Sequence, residues 1–352
     1  MKTRVLYVVE SFSTGVYAIV RDIACHLDPN SFELLVLHSL RSDSPTGYET
    51  DFSGDHITLR YIPMGSRGNY VPAIKKIRKA ILEFKPDVIH LHSSKAGVLG
   101  RIAAKGTSYH HILYSPHGFS FLRTDVRAFT RRVFLFIEKM MQVYQKVTII
   151  AVSEGERKEA QRITEDAVVI NNFINTATFS TIRQTAGATV VTTGRIAPQK
   201  NPELFNTIAQ ALPEISFLWV GDGPLREQLN APNITVTGYV PRTQAIQHVV
   251  NGQIYLQTSL WEGMPVSILE AMAAKKAIVA SDIIGNRDLI VHNRSGMLCD
   301  PHYPEQFIEA IKTLIAHEEK RKALSEEAFR RVKTYHDVSV AMDAYTQIYR
   351  YN

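Results

Sequence analysis

Short apolar runs of strand length alternate with amphipathic helical stretches through the first 150 or so residues, and the alternation then begins again. "RVLYVV" (4–9) reads as a strand and "VYAIVRDIACHL" (16–27) as a helix with apolar residues at helical spacing. The strands "FELLVLHS", "TLRYIPM", "PDVIHLHS", "HILYSPHG" and "VTIIAVS" follow. Helices fall among them at "PAIKKIRKAILEFK", where Pro72 suits a first turn, at "KAGVLGRIAAK", and from about 126 to 146. The second series opens with "ATVVTTGR" (188–195) and continues through "ISFLWVGDGP", "NITVTGYV", "QIYLQTSL", "KAIVASD" and "GMLCD". Strands joined through helices build a parallel sheet covered on both faces. Two such series predict two doubly wound, Rossmann-like α/β domains facing across a cleft, with ligands at the carboxyl ends of the strands. The polar stretch at 175–187 is the linker, so the expected domains are 1–175 and 176–335. A last helix, 336–352, is expected to pack back on the first domain.

A chain of 352 residues is too long for one ordinary core, and 45% hydrophobic with 21% charged residues describes a globular protein. No apolar run approaches the ~18 residues of a membrane span, and the apolar start is too short for a signal peptide. Cys25 and Cys299 lie far apart without metal-ligand spacing, as expected of buried thiols in a reducing, cytoplasmic setting. The charge is uneven. Residues 1–175 carry 23 Lys and Arg against 17 Asp and Glu, a net of +6, whereas 176–352 carry 17 of each. A basic half without a nucleic-acid motif points away from nucleic acid, toward an anionic membrane surface or a phosphorylated substrate.

Four segments at strand ends carry candidate chemistry. In "ESFSTGVYAIV", Gly15 just before a helix lets the backbone approach a ligand at an anion-favouring helix start, although a plain turn glycine reads as well. In "YSPHGFSF", His117 after a strand can bond a sugar hydroxyl or meet developing charge, or can be an ordinary loop histidine. His90 and His92 share one strand face without a third ligand, which favours packing over metal binding. "GRIAPQKNPELF" places Arg195 and Lys200 in a loop before a helix opened by Pro202 and Glu203, a good diphosphate site. In "SLWEGMPVSILEAMA", Pro265 suits a helix first turn, with Glu262 in the loop before it and Glu270 inside the helix. The amides of Gly263, Met264, Val266 and Ser267 would then face an anion. Two acids beside an anion make sense if they hold hydroxyls, and a nucleotide sugar carries hydroxyls at both ends.

"EGMPVSILEAM" resembles the E-x7-E segment of the retaining glycosyltransferases of family 4, which have the GT-B fold. "GRIAPQKNPELF" is similar to that family's G-R-x-x-x-x-K-N segment, and "VSEGERKEA", "INNFIN", "VGDGP" and "GYVP" fall in the family's order. "LHSSKAGVLGRIAAK" with "YSPHGFSF" resembles the subset that builds bacterial capsules and O-antigens. The resemblance implies that Arg195 and Lys200 neutralise the leaving diphosphate, Glu270 binds ribose hydroxyls, and Glu262 binds donor-sugar hydroxyls. Tyr239 and Val240 would lie by the base, which the resembled subset implies is uracil, with guanine left open. His117 would meet the donor sugar and Gly15 the phosphate and acceptor. Anomeric configuration would be retained, the leaving phosphate itself helping to take the acceptor's proton.

The chain departs from the family pattern at Thr14, where glycine is frequent, at "AAKKAIVAS" after the second glutamate, and at Asp288, where glutamate is common. It contains no Asp-x-Asp triplet, so transfer is expected to need no metal and no cofactor. "FSFLRTDVRAFTRRVFLFIEKMM" (119–141) combines arginines with five phenylalanines, a candidate element for resting on anionic lipid and receiving a polyprenyl-linked saccharide. A GT-B nucleotide-sugar epimerase would need residues for proton abstraction or elimination, and the sequence offers no acid/base set beyond His117; a glycoside hydrolase would leave the cations without an anion. A non-catalytic nucleotide-sugar-binding subunit would be expected to have lost one of Arg195, Lys200, Glu262 or Glu270.

Overall fold

The computed structural model describes residues 2–41, 43–109 and 111–350, which form two compact units. The first comprises the described residues up to Leu122, Val126–Asn171 and 341–350; the second comprises Arg123–Asp125 and Asn172–Val340.

The first unit is a parallel sheet of β1 (Thr3–Val9), β2 (Phe32–His38), β3 (Ile57–Tyr61), β4 (Val88–His92), β5 (Ile112–Ser115), β6 (Thr148–Ala151) and β7 (Ala167–Val169). Its order is β3-β2-β1-β4-β5-β6-β7. Val5 to Val9 are fully buried, as a strand covered on both faces by crossover helices requires. Strand β7 was not anticipated from sequence: it is three residues long, half-exposed and paired only with β6 at the sheet edge. Its apolar run, Ala167 to Ile170, is only four residues long, the lower limit of what reads as a strand.

The second unit is a parallel sheet of β8 (Val190–Thr193), β9 (Phe217–Val220), β10 (Ile234–Val236), β11 (Ile254–Gln257), β12 (Ala277–Ser281) and β13 (Met297–Cys299), ordered β10-β9-β8-β11-β12-β13. Its core packs Phe205, Phe217 and Trp219 with Ile254, Leu256 and Val279. Both sheets reverse strand order beside their first strand, between β1 and β4 and between β8 and β11. Loops at the carboxyl side of such a reversal splay apart and leave room for a ligand. The two doubly wound α/β units expected from the alternation are both present.

The carboxyl-terminal helix Val338–Arg350 buries Tyr345 and Tyr349 in the first unit. The Tyr349 hydroxyl lies 2.9 Å from that of Tyr7 and 2.8 Å from His90 Nδ1, and His90 Nε2 lies 2.8 Å from Ser115 Oγ. His90 is therefore a satisfied core histidine, pushed well below the usual histidine range by burial. Residues 351 and 352 of the expected last helix lie outside the described residues.

Helix Ala128–Tyr144 is inverted relative to an ordinary surface helix. It buries Glu138 and Gln142 and exposes Phe129 (75%), Phe136 (61%), Met140 (48%) and Val143 (79%). Glu138 accepts the Tyr114 hydroxyl at 2.8 Å and lies 3.6 Å from fully buried Arg101, whose guanidinium sits 4.5 Å over the Tyr114 ring. A buried carboxylate demands such partners, so this cluster fixes which face points inward. Of the five phenylalanines in 119–141, Phe119 and Phe121 belong to the core and Phe134 packs against it. Only Phe129 and Phe136 fit the interfacial expectation, and Arg123 is held by Asp125 at 2.7 Å.

Candidate functional site

In the second unit, the loop after β8 turns at Gly194 (φ 142°) directly against the loop after β9. A Cβ on Gly221 (φ 140°) would lie 2.2 Å from the Gly194 carbonyl oxygen, so only glycine permits this approach. The indole of Trp219 donates to the same oxygen at 2.9 Å. The chain then makes the turn Pro198–Lys200, and Asn201 (φ 49°) caps helix Pro202–Gln210 with its own side chain. Thr258 Oγ1 donates to the Lys200 carbonyl at 2.7 Å and Leu260 N to that of Gln199 at 2.8 Å. The loops after β8 and β11 are thereby stitched together.

That stitching brings Lys200 Nζ to 2.7 Å from Glu262 Oε1. Ser259 Oγ donates to the same oxygen at 2.9 Å, and Gln199 Nε2 to Oε2 at 3.1 Å. An ionised carboxylate has about four acceptor positions and an ammonium three donors. Three protein donors on Glu262 leave it room for one hydroxyl, while Lys200 keeps two N–H groups for an anion. Burial works against the charge on Lys200, but Glu262, together with Tyr255 and Glu270, outweighs it and holds the lysine above its ordinary pKa. The stability that Lys200 gains from this pairing is present across the neutral range and is lost as pH rises through that raised value. Arg195 is half-buried on the same loop and makes contacts of its own.

Pro265 caps helix Val266–Ala273 from outside rather than occupying its first turn, a shift of one residue from the sequence expectation. Its ψ of 117° is extended, and its carbonyl receives Ile268 N at 3.1 Å and Leu269 N at 3.3 Å. The Val266 and Ser267 amides precede those bonds at the helix start. The Met264 carbonyl accepts Asn172 Nδ2 at 2.7 Å, which fixes the loop carrying Gly263. Glu270, the fifth residue of the helix, accepts Arg242 Nη2 at 2.9 Å. Tyr239 is 57% exposed beside half-buried Val240, following Gly238, which bridges to Gly221.

In the first unit, Gly15 is the second residue of helix Thr14–His26, not a residue before it. The left-handed conformation that glycine tolerates falls instead on exposed Thr14 (φ 47°), where the sequence already differs from the family pattern. A β-branched residue held there stores about 1–2 kcal/mol of strain. His117 also has positive φ (54°), with Gly118 next to it at 98°. Its Nε2 lies 3.0 Å from His92 Nδ1, the rings stacked with an interplanar angle of 13°. Burial lowers the His117 pKa to about 4, so the ring is neutral near pH 7. His92 Nε2 is buried without a hydrogen-bond partner among the described residues, and an idle acceptor costs less there than an idle N–H. The least costly tautomer has His92 Nδ1–H donating to His117 Nε2. His117 then carries its proton on Nδ1, as a donor for a ligand oxygen.

Glu156 steadies this turn. Its carboxylate accepts Gly118 N at 2.6 Å and Val152 N at 2.8 Å, and the residue is 1% exposed. "SEGE" reads as a capping box, and Ser153 Oγ does accept Glu156 N at 3.0 Å. The glutamate, however, reaches out of its helix to the His117 loop. Gln199, Ser259, Arg242 and Glu156 thus belong to these constellations without having been singled out from sequence, and His92, expected only to pack in its strand, proves to be the partner of His117. Among the described residues, no three His, Cys, Asp or Glu side chains stand close enough to hold a metal ion.

Residues 13–178 match the family model described as Glycosyltransferase Family 4, and residues 175–331 the one described as Glycosyl transferases group 1. The chain is 27% identical over 306 residues to an Escherichia coli UDP-Gal:alpha-D-GlcNAc-diphosphoundecaprenol alpha-1,3-galactosyltransferase, covering 76% of this chain and 77% of that one. It is 24% identical over 296 residues to an uncharacterized 41.2 kDa protein of the cps region of Klebsiella pneumoniae, covering 78% and 81%. Among solved structures, Anabaena Alr3699/HepE in complex with UDP and glucose superposes with a TM-score of 0.81 over 98% of both chains, at 20% identity.

Proposed function

Because this chain is a glycosyltransferase that joins a family 4 domain to a group 1 domain, with the GT-B fold, we propose that it moves a hexose or N-acetylhexosamine from a UDP-sugar to a lipid-linked saccharide. The reaction retains anomeric configuration and builds a bacterial surface polysaccharide at the inner face of the cell membrane. The observation that carries this reading is the Lys200–Glu262 pair at 2.7 Å, which sets an anion donor beside a hydroxyl acceptor in one rigid loop cluster. Arg195 and Lys200 take the charge of the departing diphosphate without a divalent metal. The Val266 and Ser267 amides at the helix start add to that field. Glu262 orients the donor sugar, Glu270 the ribose, and Tyr239 and Val240 the base. His117 Nδ1–H meets the sugar near its reacting carbon, and the leaving phosphate accepts the acceptor's proton. The relative named for UDP-galactose and the structure holding UDP support uracil as the base.

Calorimetric titration of UDP and GDP in EDTA tests the donor site. UDP is expected to bind wild type, and to bind Glu270→Ala at least ~10-fold more weakly, the loss of one hydrogen bond to a charged group. Absence of binding by either nucleotide in EDTA would sink the metal-free reading.

The inverted helix supports a membrane-bound acceptor. Its exposed Phe129, Phe136, Met140 and Val143 stand among exposed Arg127, Arg132, Lys139 and Lys146, as in an interfacial helix on anionic lipid. No helix among the described residues is long and apolar enough to cross a membrane. Flotation with phosphatidylglycerol vesicles should recover wild type, and Phe129→Ser/Phe136→Ser/Val143→Ser should stay with the soluble fraction. Equal recovery of both proteins would remove lipid from the reading.

A further inference from the structure

The two glutamates of the second unit are unequally satisfied. Among the described residues, Glu262 accepts three protein donors, whereas Glu270, with its side chain 15% exposed, accepts only the Arg242 bond to Oε1. Arg242 opens helix Arg242–Asn251, three residues after Tyr239, and its side chain is 28% exposed. One of its terminal nitrogens, Nη2, serves Glu270, and the other, Nη1, is buried without a hydrogen-bond partner among the described residues. One ion pair therefore carries an acceptor, Glu270 Oε2, and a donor, Arg242 Nη1, neither of which has a hydrogen-bond partner among the described residues.

Adjacent hydroxyls on a five-membered sugar match that arrangement. One hydroxyl gives its hydrogen to the carboxylate while its neighbour accepts from the guanidinium. The same pairing answers an electrostatic problem: a bare Glu270 would repel the diphosphate of the nucleotide it holds, and Arg242 cancels that charge. A planar guanidinium can serve the carboxylate with one nitrogen and the ligand with the other, which a lysine ammonium cannot do in fixed geometry.

We propose that Arg242 is a specificity-determining residue which, with Glu270, reads the two adjacent ribose hydroxyls of the nucleotide, Glu270 accepting from one and Arg242 donating to the other. This rests on the nucleotide-sugar reading of the site. A site built to bond both hydroxyls rejects a ligand lacking either, because a buried polar group is then left unpaired.

The test is titration of UDP, 2′-deoxy-UDP and 3′-deoxy-UDP, in EDTA, into wild type, Arg242→Ala and Arg242→Lys. Wild type is expected to bind each deoxynucleotide about 10–100-fold more weakly than UDP. Arg242→Ala is expected to bind UDP weakly and to keep only one of the two penalties, that of the hydroxyl held by Glu270. Arg242→Lys, which keeps the charge beside Glu270 and guards against a folding defect in the alanine variant, should recover UDP affinity without recovering the lost penalty. Both penalties surviving in Arg242→Ala and Arg242→Lys, or neither existing in wild type, overturns the role of Arg242 while UDP binding stands. Failure of UDP to bind wild type overturns the nucleotide reading and this inference together.

Discussion

Lys200→Ala is expected to lower turnover at saturating donor by about 10²–10³-fold, the usual cost of removing one positioned donor from a charge-developing transition state. Lys200 has two N–H groups beyond its bond to Glu262, and they are the donors that would strengthen as negative charge builds on the leaving diphosphate. The substitution also strips Glu262 of its cation. With side-chain exposures of 17% and 10%, the pair is largely withdrawn from water, and an uncompensated carboxylate there costs about 3 kcal/mol of stability. The two effects separate in the double variant Lys200→Ala/Glu262→Gln, which removes the stranded charge. Its melting temperature should return toward wild type while its turnover stays low. If turnover recovered along with melting temperature, Lys200 would be only the counter-ion of Glu262, and the diphosphate would have to be met elsewhere.

The local pieces of this site were legible in the sequence because they are written in neighbouring residues. The turn at Pro198–Lys200, the Asn201 cap and Pro202 opening a helix all depend on residues within one or two turns of each other. So does the shift of Glu270 into a helix after Pro265. The pairings were not legible, because each joins distant segments that only the sheet order brings together. Lys200 and Glu262 are 62 residues apart, Arg242 and Glu270 28, and Gly118 and Glu156 38. Arg242 carries no motif and looks like any solvated helix-start arginine. Glu156 lies in a segment marked only by its resemblance to the family, and the reach of its carboxylate to another loop leaves no trace in spacing. Residues 119–141 misled in another way: aromatic content suggested one continuous interfacial element, but a buried Glu138 with Arg101 and Tyr114 decides the helix orientation. That decision puts Phe129 and Phe136 outside, while Phe119 and Phe121 pack into the core.

Lowering pH through neutrality is expected to raise the stability of the protein while lowering its turnover, and Glu156→Gln should flatten both responses. Burial raises the Glu156 pKa from 4.5 to about 7 even though the Val152 and Gly118 amides pull it down. A carboxyl with a raised folded pKa favours the folded state when protonated, so its contribution is complete below about pH 4.5 and is lost as pH rises through about 7. The shift corresponds to about 3 kcal/mol for this 1% exposed group. Catalysis runs the other way. Ionised Glu156 accepts both amides, but the protonated acid must turn an O–H toward one of them and gives up a bond. Loosening Gly118 frees the turn that holds His117 at φ 54° against His92, and on the proposed role of His117 as a donor to the sugar, misplacement by about 1 Å can cost ~10²-fold. The amide of Glu156→Gln resembles the protonated acid at every pH, so the variant should hold the low-pH turnover of wild type throughout. Denaturant unfolding and turnover measured from pH 5.5 to 8 check both signs. Stability and turnover of wild type moving in the same direction, or Glu156→Gln retaining the wild-type pH profile, would separate Glu156 from the His117 turn and leave it a staple between two backbone segments.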